Sequence, residues 1–278
     1  MPKISVITVC RNEAATIRKT LDSIVCQTFR DYELIVVDGG STDGTKEIIE
    51  EYASKIDWWI SEPDGGIYNA MNKGVAHACG DYVIFMNGGD CFHAATTMQD
   101  VVDRGMTADI IEGYALNGVS HSRLREPSAD IVDRLLTDGI SHQSTFTRRE
   151  LLERNHFDER YKIVADWKLW LQTLVRDRNT YQFVGVDVAD IDMTGVTYSQ
   201  FRQNLQERDQ VLAELAADPS IGHMAVMMRE YNYLTHNTLV QYAVWLDRHS
   251  PRGYSLVRKI AKRVVRWCKR KQSSEKVF

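Results

Sequence analysis

Three short apolar, β-branched runs punctuate the first ninety residues: Lys3–Val9, Glu33–Val37 and Tyr82–Met86. Runs of this length bounded by polar residues suit parallel strands buried on both faces. Between them, Ala14–Val25 carries Ile17, Leu21, Ile24 and Val25 at helical spacing, and Thr45–Tyr52 and Ile67–Ala78 predict the next two helices. This alternation predicts an α/β fold, with a mostly parallel central sheet and ligands at the carboxyl ends of its strands.

The pattern is weaker further on. Ile110–Ile111 with Tyr114–Leu116 reads as a strand, and Ile131–Leu136 and Arg148–Asn155 read as helices. Val164–Val175 predicts a helix whose buried side is Trp167, Leu169–Trp170–Leu171 and Leu174. A strand around Tyr181–Val186 and a loop through Asp192–Tyr198 follow, and Gln200–Leu215, Met224–Leu246 and Ser255–Lys269 are helical in pattern. The domain reading is a catalytic unit over 1–200, split into a nucleotide-binding half at 1–95 and an acceptor half at 96–200. A helical extension covers 201–278, and it includes a basic amphipathic helix at 255–271.

Composition changes this picture little. Hydrophobic residues make up 44% and charged residues 26% of 278, ordinary globular proportions that exclude bulk disorder. Five cysteines form neither a CxxC pair nor a zinc spacing, and with no leader pattern they imply reduced thiols and a cytoplasmic protein. No run of eighteen apolar residues predicts a membrane-spanning helix. The net charge is −4, yet Arg252–Lys271 holds nine Lys/Arg and no acid, leaving about −13 on the remainder.

The chemistry gathers at the predicted strand ends. The first turn, Cys10-Arg11-Asn12-Glu13, contains no glycine, which argues against a dinucleotide oxidoreductase. Asp38 ends the second strand, either to accept from ribose or base groups or to cap the following turn. Glu62-Pro-Asp64-Gly-Gly66-Ile-Tyr68 leads into a helix N-terminus through two glycines that let backbone N–H groups approach an anion, and Lys73 adds a cation. Asn87-Gly88-Gly89-Asp90 places a carboxylate on a turn after a buried strand, suited to Mg²⁺ or Mn²⁺.

Taken in order, Thr8-Val9-x-Arg11-Asn12-Glu13, Val37-Asp38-Gly39-Gly40-Ser41-Thr42-Asp43-Gly44-Thr45, Asn72-x-Gly74, Gly80-Asp81-Tyr82 and Asn87-Gly88-Gly89-Asp90 resemble the family 2 glycosyltransferases of GT-A fold. The stretch Glu62–Gly74 is similar to a subgroup that builds bacterial capsule, exopolysaccharide and O-antigen chains. The resemblance covers residues 3–93 well and 140–198 loosely. It implies a Rossmann-like GT-A domain and a nucleotide-sugar donor, usually a UDP-sugar, contacted by Thr8, Arg11, Glu13, Asp38, Asp64 and Lys73. It also implies Mn²⁺ or Mg²⁺ at Asp90, which here stands alone where relatives carry two or three acids. Transfer to a hydroxyl of a saccharide or lipid-linked saccharide would invert the anomeric centre, with Asp166 as general base. Gly66, Asn87, His142 and Trp167 are further candidates for donor or acceptor contact.

The loop Thr194-Gly195-Val196-Thr197 has the composition of a cover over the donor. In 255–271, Leu256, Ile260, Val264 and Trp267 form an apolar stripe amid Lys/Arg, as expected for peripheral contact with the anionic inner face of the plasma membrane. No feature calls for nucleic acid. A sugar nucleotidyltransferase would need a glycine- and base-rich first turn, which is absent. The remaining alternative is a non-catalytic sugar-nucleotide-binding or scaffold subunit of a polysaccharide assembly complex.

Overall fold

The computed structural model describes residues 3–124, 131–137, 139–193 and 200–236. The expected parallel half is present. Strands β1 (Ile4–Cys10), β2 (Tyr32–Asp38), β3 (Trp58–Ser61) and β4 (Tyr82–Phe85) run in parallel in the order β3-β2-β1-β4. All seven residues of β1 are buried, as a central strand covered on both faces requires. Helix α1 (Ile17–Val25) buries Ile17, Thr20, Leu21 and Ile24, the face its spacing predicts. Helices α2 (Thr45–Glu51) and α3 (Ile67–His77) complete the crossovers. Gly74 lets α3 lie close on the sheet, because a Cβ there would come 2.5 Å from Ile7 Cγ2.

Beyond β4 the sheet turns mixed. Strand β5 (Cys91–Phe92), helix α4 (Thr97–Asp103), β6 (Ile110–Asn117), α5 (Ile131–Thr137), β7 (Thr145–Arg148) and α6 (Arg149–Arg154) lead to α7 (Ala165–Trp170) and β8 (Tyr181–Ile191). The full order is β3-β2-β1-β4-β7-β6-β8-β5, with β7 antiparallel to β4 and β6, and β5 antiparallel to β8. Four elements carry no clear pattern in the sequence: β3, β5, α4 and β7. They are two to seven residues long, too short for a period to show. Strand β8 runs five residues past its expected end at Val186, to Ile191. The β6–β8 pairing shifts register around Tyr114, and a Cβ on the neighbouring Gly113 would lie 2.5 Å from Val186 O. Such irregularities re-aim side chains near sites.

The predicted helix over Val164–Val175 is α7 running into one π-helical stretch, Leu171–Arg176, and Trp167, Leu169, Trp170, Leu171 and Leu174 are all buried. Helices α8 (Phe201–Leu215) and α9 (Gly222–His236) follow. The chain divides into two compact units, Met1–Val211 and Leu212–Phe278. The expected cover loop at 194–197, the end of the Met224–Leu246 helix beyond His236 and the basic segment 255–271 lie outside the described residues. No helix among the described residues is long and apolar enough to cross a membrane.

Candidate active site

The sheet register brings the polar strand ends to one level: Cys10 lies opposite Asp38, and Asp38 opposite Ser61. Asp38 is 0% exposed. It accepts from the Ser61 hydroxyl at 2.6 Å, from Ser41 N at 3.1 Å and from the Ser41 hydroxyl. These bonds show the turn-capping role. The first two turns are stitched to each other. Asn12, at φ 57°, donates its N–H to Ser41 Oγ at 2.7 Å and accepts from Thr42 N at 2.9 Å, while Glu13 N donates to Thr45 Oγ1 at 2.8 Å. Burial and the neighbouring Asp38 push the Cys10 thiol far up, so it stays protonated.

Asp64 and Arg11 meet over Gly39. A Cβ on Gly39 would come 2.6 Å from Asp64 Oδ2 and 3.4 Å from Arg11 Cβ, so a larger residue would displace the Asp64 carboxylate. Asp64 also accepts from Gly66 N at 2.8 Å, and Gly66, at φ 117°, opens α3. Lys73 pairs with Glu62 at 2.6 Å. A second ammonium, Lys162, reaches the glycine turn itself and donates to Gly65 O at 2.9 Å. The sequence pattern offers no sign of Lys162, which lies 97 residues away.

The Asn87–Asp90 turn sits against the first turn, since a Cβ on Gly88 would come 2.8 Å from Glu13 Cγ. Asp90 is 4% exposed, and burial pushes its carboxyl up to about 6 despite hydrogen bonds from Asp192 and Gln143. Asp192 N donates to its Oδ1 at 2.8 Å and Gln143 Nε2 to its Oδ2 at 3.1 Å. The Asp192 carboxylate lies beside the same turn, with Oδ2 3.1 Å from where a Gly89 Cβ would stand. Asn87 Oδ1 and Thr8 Oγ1 are buried side-chain oxygens without a hydrogen-bond partner in the structure. An oxygen set of Asp90, Asn87 and Asp192 around a carboxylate short of positive charge fits a hard divalent cation. Asp192 closes the strand-end sequence Asp190-Ile191-Asp192 and becomes visible as a candidate only once β8 is seen to continue to Ile191.

From this turn a hydrogen-bonded chain runs to the candidate base. Asn87 Nδ2 lies 3.0 Å from His142 Nε2, and His142 Nδ1 lies 2.9 Å from Asp166 Oδ2. With the amide donating, the imidazole carries its proton on Nδ1 and donates it to Asp166. Asp166 Oδ1 accepts from Trp167 N at 2.8 Å and faces the Tyr68 hydroxyl at 3.0 Å, which also reaches Ile163 O at 2.7 Å. Burial raises the Tyr68 phenol well above its ordinary range, with Asp166 adding to the effect, so it remains a donor. Tyr68 is a further residue that sequence reasoning missed. Its only signal is an aromatic one position into α3.

The approach to Asp166 is held by Glu207 of α8, which accepts from Ile163 N at 2.9 Å and from Lys162 N. A cleft beside it is lined by Tyr114, Ile140, His142, Val164, Trp167 and Arg208. Trp167 is 4% exposed; its indole donates to Leu135 O at 2.8 Å, and the Arg208 guanidinium lies 4.8 Å from the ring centroid. It is therefore a rigid wall of the cleft. Also lining the cleft, Arg134 pairs with Glu112, which accepts from the Tyr181 hydroxyl at 2.6 Å as well.

A parallel nucleotide-type half, a mixed second half and an acidic turn between them define a GT-A glycosyltransferase fold. The solved structures agree. The chain resembles Staphylococcus aureus TarS 1–349 in complex with UDP, with TM-score 0.64 and 17% identity over 87% of this chain and 75% of that one. It also resembles the mannosyltransferase PcManGT from Pyrobaculum calidifontis in complex with GDP-Man and Mn²⁺, with TM-score 0.66 and 19% identity over 95% and 80%.

Sequence comparison carries this from fold to family. Residues 5–110 match the model of glycosyl transferase family 2. A PGL/p-HBAD biosynthesis glycosyltransferase of Mycobacterium bovis (strain BCG / Pasteur 1173P2) is 32% identical over 202 residues, covering 70% of this chain and 78% of the relative. An uncharacterised glycosyltransferase of Mycobacterium tuberculosis is 31% identical over 205 residues, covering 70% and 77%. The chain belongs to glycosyl transferase family 2.

Proposed function

We propose that this glycosyltransferase transfers a sugar from a UDP-sugar donor to a hydroxyl of a saccharide or lipid-linked saccharide, with inversion, and that Asp166 is the general base. The observation that carries the reading is the Asn87–His142–Asp166 chain, which ties the turn at the donor end of the sheet to a carboxylate at the mouth of a cleft. Thr8, Arg11, Glu13, Asp38 and Asp64 form the nucleoside side. Lys162 or Lys73, with the N-terminus of α3, faces the diphosphate. Asp90, with Asn87 and Asp192, would hold Mn²⁺ or Mg²⁺, which when bound offsets negative charge on the diphosphate.

In this reading the acceptor hydroxyl approaches Asp166 from the cleft. A carboxylate offers about four lone-pair positions, and those of Asp166 are shared with His142, Trp167 N and Tyr68, which fixes its orientation and leaves room for one more donor. As the acceptor oxygen forms its bond to the anomeric carbon, its proton passes to Asp166. The bond from that carbon to the diphosphate breaks on the opposite side, and the nucleoside diphosphate leaves with the electron pair. Support for the donor class comes from the neighbours with UDP and GDP-Man. A relative named for PGL/p-HBAD biosynthesis accords with a lipid-linked acceptor. The basic segment 255–271 gives this reading a contact with an anionic membrane surface, and deleting 255–278 then moves the protein to the soluble fraction.

The test is nucleoside diphosphate release across a panel of nucleotide sugars with Mn²⁺ or Mg²⁺, with the product anomer read by NMR. Asp166→Asn is expected to lower turnover about 10³-fold while UDP affinity stays within about twofold. UDP binding without turnover on any donor and acceptor would instead mark a non-catalytic sugar-nucleotide-binding subunit.

A further inference from the structure

A second cluster of ligand-type side chains uses none of the residues placed in the site above. His93 follows β5, His121 sits in the turn after β6, and Asp190 lies near the end of β8. His93 Nδ1 is 3.3 Å from Asp190 Oδ1, His121 Nδ1 is 3.0 Å from Asp190 Oδ2, and the three ligand atoms all lie within 4.8 Å of one another. The Asp190 side chain is 6% exposed, while His93 and His121 are 32% and 58% exposed. A buried carboxylate thus meets two imidazoles that remain open to solvent on their outer sides.

We propose that His93, His121 and Asp190 form a second divalent-metal site, of zinc type, separate from the Asp90 turn. Zinc takes imidazole nitrogen and carboxylate oxygen at about 2.0–2.1 Å in a tetrahedron, which places neighbouring ligand atoms roughly 3.3 Å apart. A single oxygen, Asp190 Oδ2, lies 3.4 Å from His93 Nδ1 and 3.0 Å from His121 Nδ1, both near that edge. The rings are inclined at 59° with centroids 6.1 Å apart, so they are not stacked, and their ligand atoms lie within 4.8 Å of each other. Two nitrogens and one oxygen favour zinc over Mg²⁺ or Ca²⁺, and the exposed side leaves the fourth position to solvent.

The ligands are held in place by their backbones. His93 N donates to Val188 O at 2.9 Å, and His121 N donates to Asn117 O at 2.8 Å. Asn117 Oδ1 accepts from Val119 N and Ser120 N, which closes the turn, and His121 occupies a left-handed conformation at φ 52°. Cys91 and Asp190 are direct partners in the β5–β8 register. A metal here would clip the 117–122 turn to the sheet edge, two residues before Asp192, whose N–H holds Asp90.

The test uses the full-length, tag-free protein carrying Cys26→Ser, Cys79→Ser and Cys268→Ser, so that thiols do not compete. Zn²⁺ affinity is measured without nucleotide by competition with a chromophoric chelator, and Co²⁺ is followed by its visible spectrum. One Zn²⁺ per chain is expected, with affinity unchanged in Asp90→Asn and weakened at least about tenfold in His93→Ala, His121→Ala and His121→Gln. His121→Gln keeps an N–H for Asp190 but is a poor zinc ligand, so loss in both His121 variants reports ligation. Zn²⁺ should raise the melting temperature of the parent and of Asp90→Asn but not of His121→Gln, whose metal-free melting temperature should match the parent. The proposal is overturned if the parent binds no Zn²⁺, if Asp90→Asn abolishes binding, or if both His121 variants bind as the parent does.

Discussion

The two halves of the sheet solve the same problem, holding polar groups at strand ends, by different means. In the β1–β4 half, carboxylates and hydroxyls are satisfied by backbone N–H groups of tight turns: Asp38 by Ser41 N, Asp43 by Ala14 N and Thr45 N, Asp64 by Gly66 N. In the β6–β8 half, side chain meets side chain across the fold: Glu112 with Arg134 and Tyr181, Asp90 with Gln143, Asp166 with His142. The first arrangement is redundant at Asp38 and Asp43, which each have several donors, so one can be lost. The second sets side-chain partners from distant elements in low-dielectric surroundings, so its members can be both tuned and broken.

The contrast is broken most sharply at Glu112. Glu112→Gln leaves the guanidinium of Arg134, 6% exposed, without its carboxylate, and is expected to cost about 3–5 kcal/mol in urea unfolding. Replacing both by apolar residues, Glu112→Leu with Arg134→Met, should recover most of that loss. Next is His142→Ala, which removes one of the donors that orient Asp166. Turnover should fall by roughly 10²-fold with little change in donor KM, whereas His142→Asn, which keeps an N–H, should retain more of the rate.

A smaller effect is carried by pH at Asp90. Its carboxyl is raised to about 6 by burial, so the protonated form is favoured by folding. The stability it contributes is present below the ordinary carboxylate range and is lost as pH rises through about 6. Cation binding needs the carboxylate and runs the other way. Coupled Mn²⁺ and UDP affinity, measured by calorimetry between pH 5 and 8, should therefore drop as pH falls through about 6, and Asp90→Asn should flatten the profile. The smallest effect belongs to the redundant half. Ser41→Ala removes one donor to Asp38 but leaves the Ser61 hydroxyl at 2.6 Å, so a loss of only about 1 kcal/mol is expected.

Legibility follows the same division. The apolar runs at Lys3–Val9, Glu33–Val37 and Tyr82–Met86 correspond to β1, β2 and β4 within a residue or two, because central strands are uniformly buried and say so in composition. The Asn87–Asp90 turn and the helix following Val164 were equally readable. Strands β3, β5 and β7 were not, since two to four residues carry no period and their place is set by neighbours. Lys162 was hidden because its partner, Gly65, is 97 residues away.

The sequence by itself determined the parallel half and the order of its polar strand ends, with Asp38, Asp64 and Asp90 on their turns, since strand burial and turn chemistry are written in adjacent residues; Asp166 was singled out by the family resemblance. Only the tertiary structure decided what each carboxylate does with its neighbours. It put Asp166 against His142 and Tyr68, joined Asp90 to Gln143 and Asp192, and brought His93 and His121 onto Asp190. The physical reason is range. A side chain's charge state and orientation depend on atoms within a few ångströms, and in this fold those atoms come from residues as far as 102 positions away.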